Sequence, residues 1–168
     1  MVQDEHILRW LLENGADPTR GEPRWNENDP HDDRNAGAAL NTAASAGTIA
    51  AFDLLLNSGS RIETSVPLHM AAGNPTVGAN NIPMIKHLLE LGLDINGLDD
   101  VQGPYMLGTP LHYAVHHLVI EAAQLLIERG ADPHKKNQRG YTPAESAIRQ
   151  GYEVFTTMFK AKDQKTQA

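Results

Sequence analysis

Three histidines, His112, His116 and His117, are the side chains in this sequence best spaced for chemistry. His112 and His116 are four apart, so on a helix they share a face and could hold one metal ion between them. The pattern goes no further. No Glu lies between the histidines as a zinc protease needs, and no third ligand follows, so a bound metal is not expected. A second cluster, Asp29-Pro30-His31-Asp32-Asp33, offers oxygens to a hard cation. It lacks the calcium-loop pattern and its glycine, and it reads as a solvated loop. No Gly-x-Ser-x-Gly elbow, phosphate loop or dinucleotide fingerprint occurs, and Ser45 and Ser58 have no base at informative spacing. Neither catalysis nor a cofactor is expected.

The totals narrow the remaining classes. At 168 residues the chain fits one domain or one short array. Only 5% of residues are aromatic, so a core must be built from Leu, Ala and Ile, which suits packed helices better than stacked sheets. The formal charge is −7 with no basic stripe apparent along the chain, which argues against nucleic acid. No stretch approaches the ~20 apolar residues that span a bilayer, and Met1-Val2-Gln3-Asp4-Glu5-His6 is not a signal peptide. There is no Cys, which fits a reducing compartment. The expectation is an intracellular, cytoplasmic protein without a membrane partner.

The elements that position the histidines emerge from comparing the sequence with itself. Gly108-Thr109-Pro110-Leu111-His112-Tyr113-Ala114 is followed by Leu125-Leu126-Ile127-Glu128-Arg129-Gly130-Ala131-Asp132, and Gly140-Tyr141-Thr142-Pro143-Ala144 opens a second copy. Thr109 and Thr142 are 33 residues apart. The Thr-Pro-Leu-His-x-Ala string at that period resembles the ankyrin repeat. Val66-Pro67-Leu68-His69-Met70-Ala71-Ala72 and Ala38-Ala39-Leu40-Asn41-Thr42-Ala43-Ala44 are worn openings, closed by His87 to Asp94 and Leu54 to Gly59. Ile7 to Asp17 reads as a second helix with no first helix before it. The expected organisation is one domain, 1–168, with a leading half repeat at about 1–17 and full repeats at about 36–60, 65–94, 108–132 and 141–163.

Each recurring residue has a physical reason. Thr109 can cap a helix, and Pro110 fits the first helical position, where no N–H is needed. Leu111 and Ala114 share a face, one filling the core and the other admitting the next helix. Gly130 stands where a left-handed residue ends the second helix. In the last unit Glu145 replaces the motif histidine, making Thr142-Pro143-Ala144-Glu145 a capping box. The connections are uneven. Pro18 to Gly37 is long and carries Trp25 and an acidic run, Gly59 to Val66 is short, and Gly73 to Pro83 is inserted between two helices. Insertions of this kind map to one face of an array, often the binding face, although exposed loops also tolerate length changes freely.

The resemblance implies an all-α solenoid of stacked helix-turn-helix units with projecting fingers. It also implies a protein-binding module that meets its partner through the fingers and the concave first-helix face. Carried onto this chain, the partner-binding residues are Tyr105, Met106, Tyr113, His116, His117, Arg139, Tyr141, Arg149 and Gln150, with Ser45, Ala46, Gly73 and Asn74 at equivalent helix positions of earlier units. His116 and His117 would make binding vary between about pH 5.5 and 7.5. Leu88 to Asn96 also resembles the ankyrin strings whose Asn is hydroxylated by the factor-inhibiting asparaginyl hydroxylase; the alternative is that Asn96 simply orders its turn. A rival reading is a regulatory or targeting ankyrin domain of a larger protein, possibly an enzyme. Two packing expectations complete the set. Ile7, Leu8, Leu11 and Leu12 should dock the first helix while its other flank stays apolar and exposed. Phe155, Met158 and Phe159 should face inward, with Lys160, Lys162, Asp163 and Lys165 in water and 164–168 fraying.

Overall fold

The computed structural model describes residues 2–19, 37–99 and 108–166. Trp25, the acidic residues of its loop, Tyr105, Met106 and the side chains of Asp163 and Lys165 lie outside what is described. The described residues form nine α-helices and no strand: α1 Val2–Glu13, α2 Ala38–Ala46, α3 Ile49–Asn57, α4 Pro67–Ala72, α5 Ile82–Glu90, α6 Pro110–His116, α7 Ile120–Glu128, α8 Pro143–Gln150 and α9 Glu153–Thr166. Two short 3-10 turns, Ile62–Thr64 and Gly78–Asn81, lie in the connections.

Helix starts and stops follow from the local sequence. Prolines occupy the first turns of α4, α6 and α8, where the missing N–H costs nothing. Gly130, at φ 100°, turns the chain out of α7 in a conformation that a Cβ would strain. The helices pair as hairpins, and the pairs stack in two layers. In one layer α2 packs on α4, α4 on α6 and α6 on α8. In the other α1 meets α3, α5 meets α7 and α7 meets α9. Leu40, Phe52, Leu68, Met84, Ile85, Leu88, Leu111, Leu126 and Phe155 fill the space between the layers. Each such buried side chain stabilises by ~1.5–3 kcal/mol. Wholly buried alanines, Ala44, Ala71, Ala114 and Ala147, stand on the first helices and let them approach.

The two ends differ from expectation in detail. On α1, Leu8 packs against the core and Leu12 is half-buried, but Ile7 and Leu11 are exposed beside Trp10, which is 61% exposed. Ile7 and Leu11 form a stripe one residue removed from Leu8 and Leu12, about 100° around the helix, and among the described residues that stripe is exposed. At the other end Phe155 and Phe159 are buried and Met158 packs on them, as the spacing required. Lys160 is exposed, whereas Lys162 is half-buried and its ammonium donates to the Ala131 carbonyl, strapping α9 to the preceding turn.

The insertion between α4 and α5 is tied down. Asn81 is wholly buried, and its amide donates to the carbonyls of Ala71 (2.8 Å) and Ala44 (3.2 Å). Asn74 donates to the Ser45 carbonyl at 2.8 Å. Both asparagines therefore bind carbonyls at the ends of α2 and α4, that of Ala44 also accepting the Gly47 N–H. Replacing Asn81 with Ala should cost ~1–3 kcal/mol, because the buried Ala71 carbonyl loses its side-chain donor. Urea denaturation checks this through a lower midpoint at unchanged slope.

Candidate functional site

His112 is buried, and both of its ring nitrogens are engaged. Nδ1 accepts the Thr109 N–H at 3.1 Å, and Nε2 donates to the Tyr141 carbonyl at 2.9 Å. The first bond satisfies an amide that the start of α6 leaves without a helical partner. In α8 Glu145 does the same work: its carboxylate accepts the Thr142 N–H at 2.8 Å while its own N–H donates to Thr142 Oγ1 at 3.0 Å. That bond holds the Glu145 carboxyl below its ordinary range. Burial pushes the His112 pKa down, against the opposing pull of the Tyr141 carbonyl and the Asp99 charge. The neutral ring has no lone pair left for a metal.

Tyr113 departs from the expected role of surface anchor. It is 5% exposed, and its hydroxyl donates to Asp99 Oδ2 at 2.7 Å. Asp99 is itself buried, and its Oδ1 accepts from the Gly108 N–H at 2.9 Å and the Gln138 amide at 3.2 Å. Burial and the bond to Asp99 together push the phenol pKa up. Tyr113 is thus a post that ties α6 to two fingers, with only an edge reaching the surface. The sequence offered no signal for Asp99 beyond an aspartate in a loop.

Two adjoining hollows open on the first-helix side. One, of about 400 Å³, is lined by Ser45, Met70, Gly73, Asn74, Pro75, Tyr113 and His117. The other, of about 230 Å³, is lined by His116, Arg139, Tyr141, Ser146, Arg149 and Gln150, with His112 and Asn137 at its base. His116 and His117 stand edge to face with ring centroids 4.9 Å apart, one imidazole in each hollow. The Arg149 guanidinium lies over the Tyr141 ring, 4.4 Å from its centre. Partial burial, then the neighbouring His116, hold His117 below the ordinary imidazole value. Its share of any pH response therefore moves to the acid side of the window expected from sequence. Of the expected partner-binding residues, His116, His117, Arg139, Tyr141, Arg149 and Gln150 come together exposed.

The family model for ankyrin repeats (three copies) matches residues 68–168, more than half of the chain. The chain belongs to the ankyrin-repeat family. It is similar to the potassium channel AKT1 of Arabidopsis thaliana, 32% identical over 194 aligned positions that cover 95% of this chain and 20% of the channel. It is also similar to the chicken nuclear factor NF-kappa-B p105 subunit, 30% identical over 133 residues, 77% of this chain and 13% of that protein. A third relative is zebrafish ankyrin repeat and SOCS box protein 11, 32% identical over 109 residues, 63% of this chain and 34% of that protein. The chain spans about a third or less of each. Ankyrin repeats are in general protein–protein interaction modules, a non-catalytic fold. Among the described residues no helix is long and apolar enough to cross a membrane.

Within the ankyrin frame Asn96 has a definite task. Its Oδ1 accepts the Asp132 N–H of the next unit at 2.8 Å, and its own N–H donates to Asp94 at 2.8 Å. Two measurements probe the buried network. Tyr113→Phe should lose ~1–3 kcal/mol in urea denaturation, because the Asp99 carboxylate loses a buried donor. His112 has a folded pKa below its unfolded 6.5, so its contribution is complete above that value and is lost as pH falls through the folded one. The melting-temperature gap between the parent and His112→Gln should therefore narrow as pH falls from about 7.5 to about 5.

Proposed function

We propose that this chain is a non-enzymatic, intracellular protein-binding module. Its partner lies along the first-helix side and the finger of the last two units. The observation that carries this reading is the pair of adjoining hollows that meet at His116 and His117. Two open hollows on neighbouring first helices suit an extended or loop-like protein segment better than a small metabolite, which favours a single enclosed cavity. Exposed Tyr141, Arg139 and Arg149 are side chains of the types that dominate interface energy, and the histidine pair lies beside them. Tyr113 supports them from below.

The test is capture from the source cell followed by mass spectrometry, with a His117→Ala, Tyr141→Ala double variant run in parallel. The expected outcome is a partner held by the parent and weakened about 30-fold or more by the variant, at an unchanged melting temperature. Equal capture by the folded variant would move the interface elsewhere, first to the Trp25 loop.

A second reading is a regulatory or targeting ankyrin domain of a larger protein. It draws on the open apolar face of α1 at Ile7, Trp10 and Leu11. An antibody against this domain decides it in the source cell. A band at the mass of the 168-residue chain alone counts against it, and only larger bands support it.

A further inference from the structure

Charge is distributed unevenly along the chain. Residues 134–150 hold four Lys or Arg and one carboxylate, whereas the rest of the chain holds ten against twenty. This stretch is therefore +3 within a protein of −7, its remainder being −10. Two of its cations, Arg139 and Arg149, line the smaller hollow with His116 and Gln150. Among the described residues neither arginine pairs with an acid; the ion pairs there are Arg9–Glu5, Arg61–Glu63 and His87–Asp53. Glu145, the one carboxylate in the stretch, is committed to the Thr142 N–H. The Arg149 guanidinium carbon lies 4.4 Å from the Tyr141 ring centre, a cation–π contact that places its charge at the rim of the hollow.

We propose that the hollow formed by His116, Arg139, Tyr141, Arg149 and Gln150 takes an Asp or Glu side chain from an acidic peptide segment of the partner. This rests on the protein-binding reading above and adds the partner's chemistry. A planar guanidinium matches a carboxylate through two parallel N–H···O bonds. The hollow lies at the last turn of α6 and the last two turns of α8, where helix carbonyls carry partial negative charge. That end of a helix opposes a dianion and offers no cradle of backbone N–H groups, so a carboxylate suits it better than a phosphate. The neutral hollow beyond His117 receives a neighbouring uncharged side chain of the same segment.

The experiment selects peptides from a displayed library of random 12-residue sequences against the immobilised full chain, then repeats the selection against Arg149→Gln. Arg149 is exposed, so an unchanged melting temperature in the variant is expected and is measured first. The parent should enrich peptides with Asp or Glu at one fixed position, and Arg149→Gln should lose that preference. Changing the enriched acid to Gln should weaken binding about tenfold or more to the parent and leave binding to Arg149→Gln unaltered. The proposal is overturned by an enriched set without an acidic position, by no enrichment, or by an acidic preference that survives Arg149→Gln. Tighter binding of the phosphoserine version of the best peptide, or of a 12-nucleotide single-stranded RNA, overturns it equally. If instead a cellular partner responds to the His117→Ala, Tyr141→Ala variant but not to Arg149→Gln, the protein-binding reading stands and the acidic-segment proposal falls.

Discussion

The bond from a first-helix histidine to the carbonyl of a following finger is the contact on which the rest of this array depends. Fingers are irregular backbone, and with no strands among the described residues their carbonyls need donors from elsewhere. His112 Nε2 reaches the Tyr141 carbonyl at 2.9 Å, and His69 Nε2 stands 3.0 Å from the Gly97 carbonyl. The two links span 29 and 28 residues, close to one repeat, so each one sets the distance from a unit to its neighbour. Because His112 also accepts the Thr109 amide, the same ring begins α6 and positions the next finger. Glu145 carries no such proton, so it can begin α8 but cannot donate onward. Once the spacing is set, the hollows between first helices are set with it.

Around that link the molecule concentrates its irregularities in the fourth unit. Leu118 has φ 59°, the left-handed region in which Gly47 and Gly151 make the corresponding turns of the second and fifth units. A Leu there costs about 1–2 kcal/mol over the ordinary conformation, and it is 49% exposed, so core burial does not account for it. It directly follows His117, and strained residues of this kind are enriched where proteins make contacts. Arg149 stacked on Tyr141 and the buried Asp99–Tyr113 pair lie in the same or the adjoining unit.

Much of this was legible in the sequence, and the reasons are specific. Leu111, Ala114, Phe155 and Phe159 recur at helical spacing because every unit must present the same face to its neighbours, so a period of 33 residues exposes the core directly. Capping at Thr142 and Glu145 is local and needs no knowledge of the fold. What escaped depends on contacts between units. Tyr113 occupies a position that faces solvent in a regular array. Here Asp99, 14 residues earlier, turns it inward, and nothing in either residue's neighbourhood announces the pairing. Ile7 and Leu11 share the spacing of Leu8 and Leu12, and spacing alone does not say which of the two stripes meets the core. The Gly73 to Pro83 insertion read as a loop, yet Asn81 is one of its anchors, because the carbonyls it serves belong to α2 and α4.

The charge pattern gives the candidate surface a selectivity that its contacts alone would not. A ligand carboxylate nearing most of this chain meets a net negative surface, and within a Debye length of about 8 Å at physiological salt that repulsion is felt. The stretch from 134 to 150, at +3, reverses the sign, as the lysines near the end of α9 do to a lesser degree. Under the proposed acidic-segment mode, repulsion over the rest of the surface would reject segments that approach in the wrong register, adding discrimination from mismatched poses to that of the matched one. The neutral hollow alongside has no net charge to contribute and selects on shape. In the proposed mode a partner would be read by two unlike criteria, on either side of a His117 that burial and the neighbouring His116 hold below the ordinary imidazole value.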